Sequence, residues 1–163
     1  MSAFTEPLAY EATEIFRGGR TRTLFVDGEA AIELVGARRL IRLTRGFAYQ
    51  CKRTGCRFEV AAGFECDLGS VPGFARWALS PDDPWAQAYV LHDWLYRTGV
   101  VDRATADLIL WDALGLPFRA YRQGNPEPLR IVCPALYRSL IYRSVRLGGA
   151  AAYQARGEVK PAA

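Results

Sequence analysis

The only histidine of this 163-residue chain lies close in sequence to carboxylates. His92 is followed directly by Asp93, and Asp107 comes after the turn signal Thr98-Gly99. Because imidazole titrates near neutral pH, it is the side chain best suited to act as a general base there. Any chemistry of this chain that needs such a base is therefore expected at His92.

Two predicted helices position these residues. Asp83 and Pro84 form a start signal for the first, which runs from Pro84 to about Arg97 and is apolar almost all round, as a buried helix is. The second runs over about 103–114, with Asp102 as its N-cap and a glycine and a proline just after it. Helices joined by about five residues are expected to pack antiparallel.

The spacing predicts that His92 and Asp107 face each other across this pair of helices. At a rise of about 1.5 Å per residue, each lies roughly 8 to 9 Å from the connecting turn, so the two are level. Each also falls within an apolar face of its own helix. These faces consist of Trp85, Ala88, Tyr89 and Tyr96, and of Ala104, Leu108, Trp111 and Leu114. A buried carboxylate and imidazole are tolerable only if they pair or bind something.

The nearby carboxylates predict a site for a hard cation. Asp93 is rotated by about 100° from His92 along the helix, and Asp67, which ends a predicted strand, is the second candidate ligand. Carboxylate and carbonyl oxygens suit Ca²⁺ or Mg²⁺. We expect His92 to activate a water, Asp107 to fix the imidazole tautomer, and a metal on Asp93 and Asp67 to polarise an ester or phosphoester.

A structural role accounts for the same residues. The imidazole and the carboxylate opposite it would then form a hydrogen-bonded pair that fixes the register of the two helices. Asp93 would form an ion pair with Arg97 or Arg76, and Asp67 would cap a turn. The pattern alone does not separate this interpretation from catalysis.

The remainder of the chain predicts one α+β domain: a small antiparallel N-terminal sheet, then the helical hairpin and a C-terminal helix. Alternating apolar residues from Phe47 to Val60 predict a β-hairpin. Residues 1–20 are interpreted as an N-terminal arm with one possible short strand, 21–147 as the domain, and 148–163 as a flexible tail.

The C-terminal helix is expected after a loop over 117–127. It starts near Pro128, is kinked or restarted at Pro134, and runs to about Leu147. Leu136, Leu140 and Val145 are predicted to point inward, and Arg138, Arg143 and Arg146 outward. A further short helix is expected after Ser70, with Pro72 in its first turn.

Composition narrows the classes of function. The net charge of +4 comes from arginines spread along the chain, so nucleic-acid binding is not indicated. No signal peptide opens the chain and no apolar run is long enough to span a membrane. The four cysteines are too scattered for a secreted disulfide scaffold, and they do not complete a zinc site. They are Cys51, Cys56, Cys66 and Cys133.

Three segments taken together resemble the domain of unknown function family 1353, whose pattern is GF-x-TD-x-ASVP, then LHDxLY, then R-x-x-AD. They are Gly63–Pro72, Leu91–Arg97 and Arg103–Asp107, with Cys66 and Gly69 in place of a threonine and an alanine, and a closing segment from Leu136 to Arg146 follows them. The resemblance covers about residues 45 to 150. It implies a bacteriophage or prophage origin and no particular activity.

The segment from His92 to Tyr96 is also similar to the HDxxY core of phospholipase A2. This similarity implies that His92 is the base, that Asp93 binds calcium, and that Asp107 and Tyr96 orient the histidine. The glycine-rich calcium loop of that family is missing, and residues 67–70 are at best a substitute for it. A phosphohydrolase of the HD type is favoured less, because its metal site needs further histidines and His92 is the only one in this chain.

We therefore expect a phage or prophage protein with a metal-assisted hydrolase site of esterase or phospholipase type, acting on lipid or cell-envelope material. Calcium or magnesium is the expected cofactor, and zinc is not favoured. The alternative is a non-catalytic virion or assembly component, such as a neck or tail protein, with other virion proteins as partners. The expected location is the bacterial host cytoplasm or the virion.

Overall fold

The computed structural model describes residues 3–27, 38–66, 84–120 and 129–156. Within them the chain is of the α+β class, as the sequence predicts, with most strands in the N-terminal half and helices after them. The strands are β1 Ala3–Phe4, β2 Ala9–Ile15, β3 Thr21–Asp27, β4 Arg38–Leu43, β5 Phe47–Gln50, β6 Arg57–Val60, β7 Glu65–Cys66, β8 Pro117–Ala120 and β9 Leu129–Val132. The helices are α1 Ala86–Thr98, α2 Arg103–Leu114 and α3 Ala135–Arg156.

The largest sheet has the strand order β3-β2-β4-β7, and all its neighbouring strands are antiparallel. Strand β2 lies between β3 and β4, and its Tyr10 and Ala12 are buried in the core. Residues 9–15 thus form the short strand that was predicted as possible within residues 1–20, but it is an internal strand of the sheet rather than part of an arm. A strand that is paired on both sides can use its backbone N–H and C=O groups in hydrogen bonds to its two neighbours. These hydrogen bonds hold the segment in the sheet.

A buried carboxylate in β2 interrupts the sequence pattern that would predict a strand in the core. Glu14 is fully buried, and Arg22 of β3, directly opposite it in the ladder, donates from Nε to Glu14 Oε2 over 2.7 Å. The sequence pattern treats such a glutamate as a surface residue, because an acidic side chain is rarely buried without a partner. The partner is known only once β2 and β3 are paired.

The predicted β-hairpin is confirmed as β5 and β6, which pair from Phe47 opposite Val60 to Gln50 opposite Arg57. Strand β1 adds to the other side of β5. Gly46 precedes the hairpin where the chain passes close to β6, since a Cβ on Gly46 would lie 2.8 Å from the carbonyl oxygen of Val60. No other residue fits there without moving the backbone.

The helical hairpin is confirmed as α1 and α2, which pack against each other. Helix α1 ends at Gly99, whose left-handed φ of 61° lets its N–H bond to Leu95 O over 3.0 Å. Helix α2 has the predicted N-cap: Asp102 accepts a hydrogen bond of 3.0 Å from the N–H of Thr105. Helix α1 begins at Ala86, two residues later than expected, and the predicted cap Asp83 lies outside the described residues.

The buried face of α2 differs in part from the predicted stripe. Asp107 and Leu114 are buried as expected, whereas Ala104 is exposed and Leu108 and Trp111 are only half-buried. Helix α2 packs against α3 as well as against α1. The further residues buried on α2 are Ala106, Ile109, Leu110 and Ala113.

The C-terminal third differs most from expectation. The predicted loop over 117–127 contains strand β8, and the segment near Pro128 forms strand β9 rather than helix; the two strands pair antiparallel. Helix α3 then runs from Ala135 to Arg156, well past the predicted end at Leu147 and into the predicted flexible tail. Within this last part of the helix, Gly149 packs closely on Tyr96 of α1, as described below.

The orientation of α3 also corrects the prediction. Leu136 and Leu140 were expected inside, but they are 76% and 37% exposed. Val145 is buried as predicted, and Ile141 is buried in place of the two leucines, so the packed face is rotated from the one that the sequence predicts. None of the described helices is long and apolar enough to cross a membrane. The predicted short helix after Ser70 lies outside the described residues.

Two arginines attach the helices to their surroundings. Arg53, in the turn between β5 and β6, donates from Nε and Nη2 to the two carboxylate oxygens of Asp112 on α2, over 2.8 and 3.0 Å. Arg138 of α3 stacks over the ring of Trp111 on α2, with its guanidinium carbon 4.0 Å from the ring centroid. The sheet hairpin, α2 and α3 are therefore fixed relative to one another around the cluster described next.

Candidate functional site

His92 and Asp107 are in direct contact across the seam between α1 and α2. His92 Nε2 lies 2.8 Å from Asp107 Oδ1, as their level placement predicts. The carboxylate of Asp107 has no exposure to solvent, while the His92 side chain remains 11% exposed. The pair is therefore closed on the carboxylate side and open on part of the imidazole.

Two further groups donate to the same carboxylate. The hydroxyl of Tyr96, one turn after His92 on α1, donates to Asp107 Oδ1 over 2.6 Å. Arg146 of α3 donates from Nη1 to Asp107 Oδ2 over 2.9 Å. We name His92, Tyr96, Asp107 and Arg146 the carboxylate cluster. It joins all three helices through one buried anion.

The hydrogen bonds of the carboxylate cluster decide the ionisation of Asp107. Burial by itself raises the pKa of this carboxyl, but the hydrogen bonds from His92, Tyr96 and Arg146 together outweigh it, so the pKa lies below its ordinary value. Burial raises the pKa of the Tyr96 hydroxyl, and the hydrogen bond to Asp107 raises it further. Near neutral pH the cluster thus holds an ionised carboxylate and a neutral phenol.

The arrangement fixes one tautomer of the imidazole. Because Asp107 Oδ1 is an ionised acceptor, Nε2 of His92 carries the hydrogen and the lone pair of the neutral ring is on Nδ1. Within the described part of the chain, the only hydrogen bond of this ring is the one from Nε2. His92 also contacts the ring of Tyr96, with ring centroids 4.1 Å apart, which limits its rotation.

Sequence reasoning missed Arg146, which was predicted to point outward. Its guanidinium instead turns along the flank of α3 toward Asp107, and the hydrogen bond raises the pKa of Arg146 further above its ordinary value. Its neighbour Arg103 on α2 donates to the backbone carbonyl of Arg146 over 3.2 Å. A buried acid on α2 is itself a signal that a cation must come from elsewhere, but the sequence does not say from which element.

A glycine on α3 allows the close approach that completes the cluster. A Cβ on Gly149 would lie 2.6 Å from the hydroxyl oxygen of Tyr96 and 3.2 Å from its ring. Next to it, Tyr153 packs edge-on against Tyr96 and donates to the carbonyl of Val101 over 3.0 Å. Gly149 is therefore not part of a loose tail but the point where α3 contacts α1.

We expect Gly149→Ala to push the Tyr96 hydroxyl away from Asp107. Alanine favours helix by about 1 kcal/mol over glycine, yet overpacking of a buried site costs about 1–3 kcal/mol. The free energy of unfolding, measured by urea denaturation, should therefore fall despite the better helix propensity. Ala150→Gly is the matched control, since residue 150 is exposed on the same helix. A more stable Gly149→Ala protein would contradict the observed packing.

The predicted metal ligands Asp93 and Asp67 are not members of the carboxylate cluster. Asp93 forms an ion pair with Arg97, in which Arg97 Nη2 lies 3.2 Å from Asp93 Oδ2, one of the two structural pairings considered above. Arg97 also donates to the carbonyl of Glu65 and stacks on Phe64, which ties α1 to β7. Asp67 lies outside the described residues.

The described residues do not form a metal centre by themselves. No group of three or more histidine, cysteine, aspartate or glutamate side chains in 3–27, 38–66, 84–120 and 129–156 is arranged to hold an ion. All four cysteines are free thiols, and Cys56 is the exposed one. A metal at Asp93 would have to compete with the guanidinium of Arg97, so the described donors alone do not form a cation site.

Comparison with known proteins gives one match. Residues 41–117 match the model of a family described as protein of unknown function (DUF1353). No curated protein and no solved structure matches the chain. The matched segment contains His92, Tyr96 and Asp107 and ends before α3, so Arg146 is outside it. The segment from residue 41 to residue 117, which includes three of the four groups of the carboxylate cluster, is therefore similar to the family that the residue pattern indicated.

Proposed function

We propose that the protein is a hydrolase of carboxylic or phosphoric esters in which His92 is the general base. The observation that carries the proposal is the 2.8 Å contact of His92 Nε2 with the fully buried Asp107. A base oriented by a carboxylate, with its other nitrogen directed away from that carboxylate, is the arrangement that activates water in many hydrolases. The ester and lipid part of the proposal follows the resemblance of the His92 to Tyr96 segment to phospholipase A2.

Each member of the cluster has a defined part in this reaction. His92 takes a proton from water at Nδ1 while the water oxygen bonds to the carbonyl carbon or phosphorus. Asp107 stabilises the imidazolium that forms, and the proton then passes from Nδ1 to the leaving oxygen as its bond breaks. Tyr96 and Arg146 do not exchange protons; they hold the carboxylate ionised and oriented.

A divalent cation is proposed separately from the general base. Calcium or magnesium on Asp93 and Asp67 would polarise the ester oxygen. No step assigned above to the carboxylate cluster depends on it. The ion pair of Asp93 with Arg97 makes a specific demand on this part of the proposal, because cation binding must release Arg97.

A non-catalytic role in a phage particle is the second candidate. It is favoured by the complete satisfaction of Asp107: three donors from α1 and α3 surround a carboxylate with no solvent exposure. A buried ionic cluster of this kind can have a purely structural role, in which it specifies how three helices assemble. In this case the protein would be a neck, tail or assembly component, and His92 would be replaceable by any donor of similar length.

Chemical modification of the single histidine tests the hydrolase proposal. The purified protein is assayed with a soluble p-nitrophenyl ester and with a short-chain phospholipid, before and after treatment with diethyl pyrocarbonate. We expect hydrolysis to be lost as one equivalent of N-carbethoxyimidazole forms, and to return when hydroxylamine removes the group. Circular dichroism serves as the control for the fold.

Three results would reject the general base: no hydrolysis by the untreated protein, activity that survives full modification of His92, or activity lost without recovery. The cation is tested in the same assay. Chelator-treated protein should gain activity when calcium or magnesium is added, and Asp93→Asn should lose that gain while keeping any metal-independent rate. An equal response of wild type and Asp93→Asn would show that Asp93 does not bind the ion.

A further inference from the structure

The outward face of α3 carries a line of exposed leucines. Leu136 is 76% and Leu147 is 81% exposed, and Leu140 lies between them. With about 100° of rotation per residue, these three lie within roughly 40° of one another around the helix axis. Buried Val145 lies nearly opposite them, so the line is on the side of α3 that faces away from α1 and α2. Single exposed leucines are common on proteins, whereas a line of them on one helix is not.

All charged residues of α3 are positive. The 22 residues from Ala135 to Arg156 include four arginines and no aspartate or glutamate. Arg143 falls on the same face as the leucines, between Leu140 and Leu147, and it is exposed. An amphipathic helix with leucines and arginines on its free face is typical of a helix that lies on an anionic lipid surface.

The strand pair that leads into α3 adds a second basic feature. Arg119 of β8 and Arg130 of β9 are directly opposite each other in the ladder, and both are exposed. Like charges at opposite positions repel and destabilise a strand pair. An anionic surface near this hairpin would relieve that repulsion. A second copy of the chain on the α3 face would instead bring Arg143 against further positive charge, which disfavours self-association there.

We propose that the outward face of α3, formed by Leu136, Leu140, Arg143 and Leu147, binds the surface of an anionic lipid bilayer. The leucines enter the headgroup boundary and the arginine pairs with lipid phosphates. Only the identification of that lipid as the substrate rests on the hydrolase function proposed above. The binding surface itself is independent of catalysis.

Vesicle co-sedimentation of the full chain tests the surface. The vesicles are pure phosphatidylcholine or phosphatidylcholine mixed with phosphatidylglycerol, at low and at high salt. We expect binding to the anionic vesicles at low salt and about ten-fold weaker binding at high salt. The double variant L136S/L147S should bind about ten-fold more weakly or worse, because both leucines lose their transfer into the interface. Arg143→Glu should lower the affinity about ten-fold at low salt.

Matched controls separate this face from the rest of the surface. Val100→Ser removes an exposed apolar residue from the turn between α1 and α2, and Arg20→Glu reverses a charge in the turn between β2 and β3. Val100→Ser should bind like the wild type, and Arg20→Glu should lose less affinity than Arg143→Glu. Because the substituted residues are exposed, all variants should fold, which circular dichroism checks.

The proposal is overturned if the wild type does not bind, if it prefers neutral vesicles, or if L136S/L147S binds like the wild type. It is also overturned if the face instead forms a dimer that L136S/L147S dissociates, or if it binds an acidic protein and no vesicles. Binding is repeated with His92→Gln, which should sediment with vesicles like the wild type. Hydrolysis that fails while vesicle binding persists would reject the hydrolase function and leave the lipid surface intact.

Discussion

Replacing His92 by glutamine should lower kcat/KM for ester hydrolysis by about 10²–10⁴-fold, the usual contribution of a general base. Glutamine places an amide N–H near the position of His92 Nε2, so its hydrogen bond to Asp107 can be kept. It has no group that can accept a proton from water at neutral pH. Steady-state kinetics with the soluble ester and the phospholipid measure the effect.

The stability of the same variant separates the two candidate functions. Because the donor to Asp107 is retained, the free energy of unfolding of His92→Gln should change by less than about 1 kcal/mol. His92→Ala removes donor and base together and should be clearly less stable. A His92→Gln protein that hydrolyses ester as fast as the wild type would contradict the general base. The cluster would then have only the structural role.

Asp107→Asn should be the most destabilising single substitution in the carboxylate cluster, at about 3 kcal/mol, as expected for breaking a buried ion pair. The amide keeps the shape of the carboxylate but replaces one acceptor oxygen by a donor. That donor must face either Arg146, which cannot accept a hydrogen bond, or the pair of His92 and Tyr96, which donate in the wild type and would have to lose these hydrogen bonds in order to accept one. Urea denaturation at neutral pH measures the loss.

The pH dependence of stability gives Asp107→Asn a second, independent signature. The pKa of Asp107 is lowered in the folded protein, so its contribution to stability is fully present above the unfolded value of about 3.9 and is lost as pH falls through the folded pKa. Wild type and Asp107→Asn should therefore converge in stability at pH values below about 4. A difference that stays constant down to acid pH would show that the charge of Asp107 is not what stabilises the fold.

Tyr96→Phe is the matched control for both measurements. It removes the hydrogen bond that the neutral phenol donates to the ionised Asp107 Oδ1 and leaves His92 and Arg146 in place. The expected cost is about 2 kcal/mol, as for a hydrogen bond to a charged group, smaller than that of Asp107→Asn, and the acid dependence due to Asp107 should remain. A cost equal to that of Asp107→Asn would mean that the phenol, and not the charge, dominates the cluster.

The buried anion explains why the helices have one arrangement. An ionised carboxylate with no solvent exposure is stable only if donors surround it. Here α1 supplies two and α3 supplies one. Any rotation of α3 that buried Leu136 and Leu140 would withdraw Arg146 from Asp107. We infer that keeping Arg146 paired with Asp107 is worth more than burying Leu136 and Leu140. The two leucines therefore remain on the free face of α3.

The sequence by itself determined the elements with strong local signals. The Phe47 to Val60 hairpin, the bounds of α2 and the pairing of His92 with Asp107 follow from period, caps and helix geometry, which depend on residues near each other in the chain. It also determined the family resemblance, which was predicted over about residues 45 to 150 and is matched over residues 41–117, because that resemblance consists of residue types at fixed spacings.

Only the tertiary structure decided which distant groups compensate the buried charges. Glu14 of the internal strand β2 is buried opposite Arg22, and on α3 Arg146 contacts Asp107 and Gly149 packs against Tyr96. A prediction from periodicity places an arginine on the surface and a glycine at a helix end, because it considers each residue type by itself and without its partners. The free energy of a buried ion depends on its partner, and partners far apart in the chain are fixed only when the helices and strands have packed.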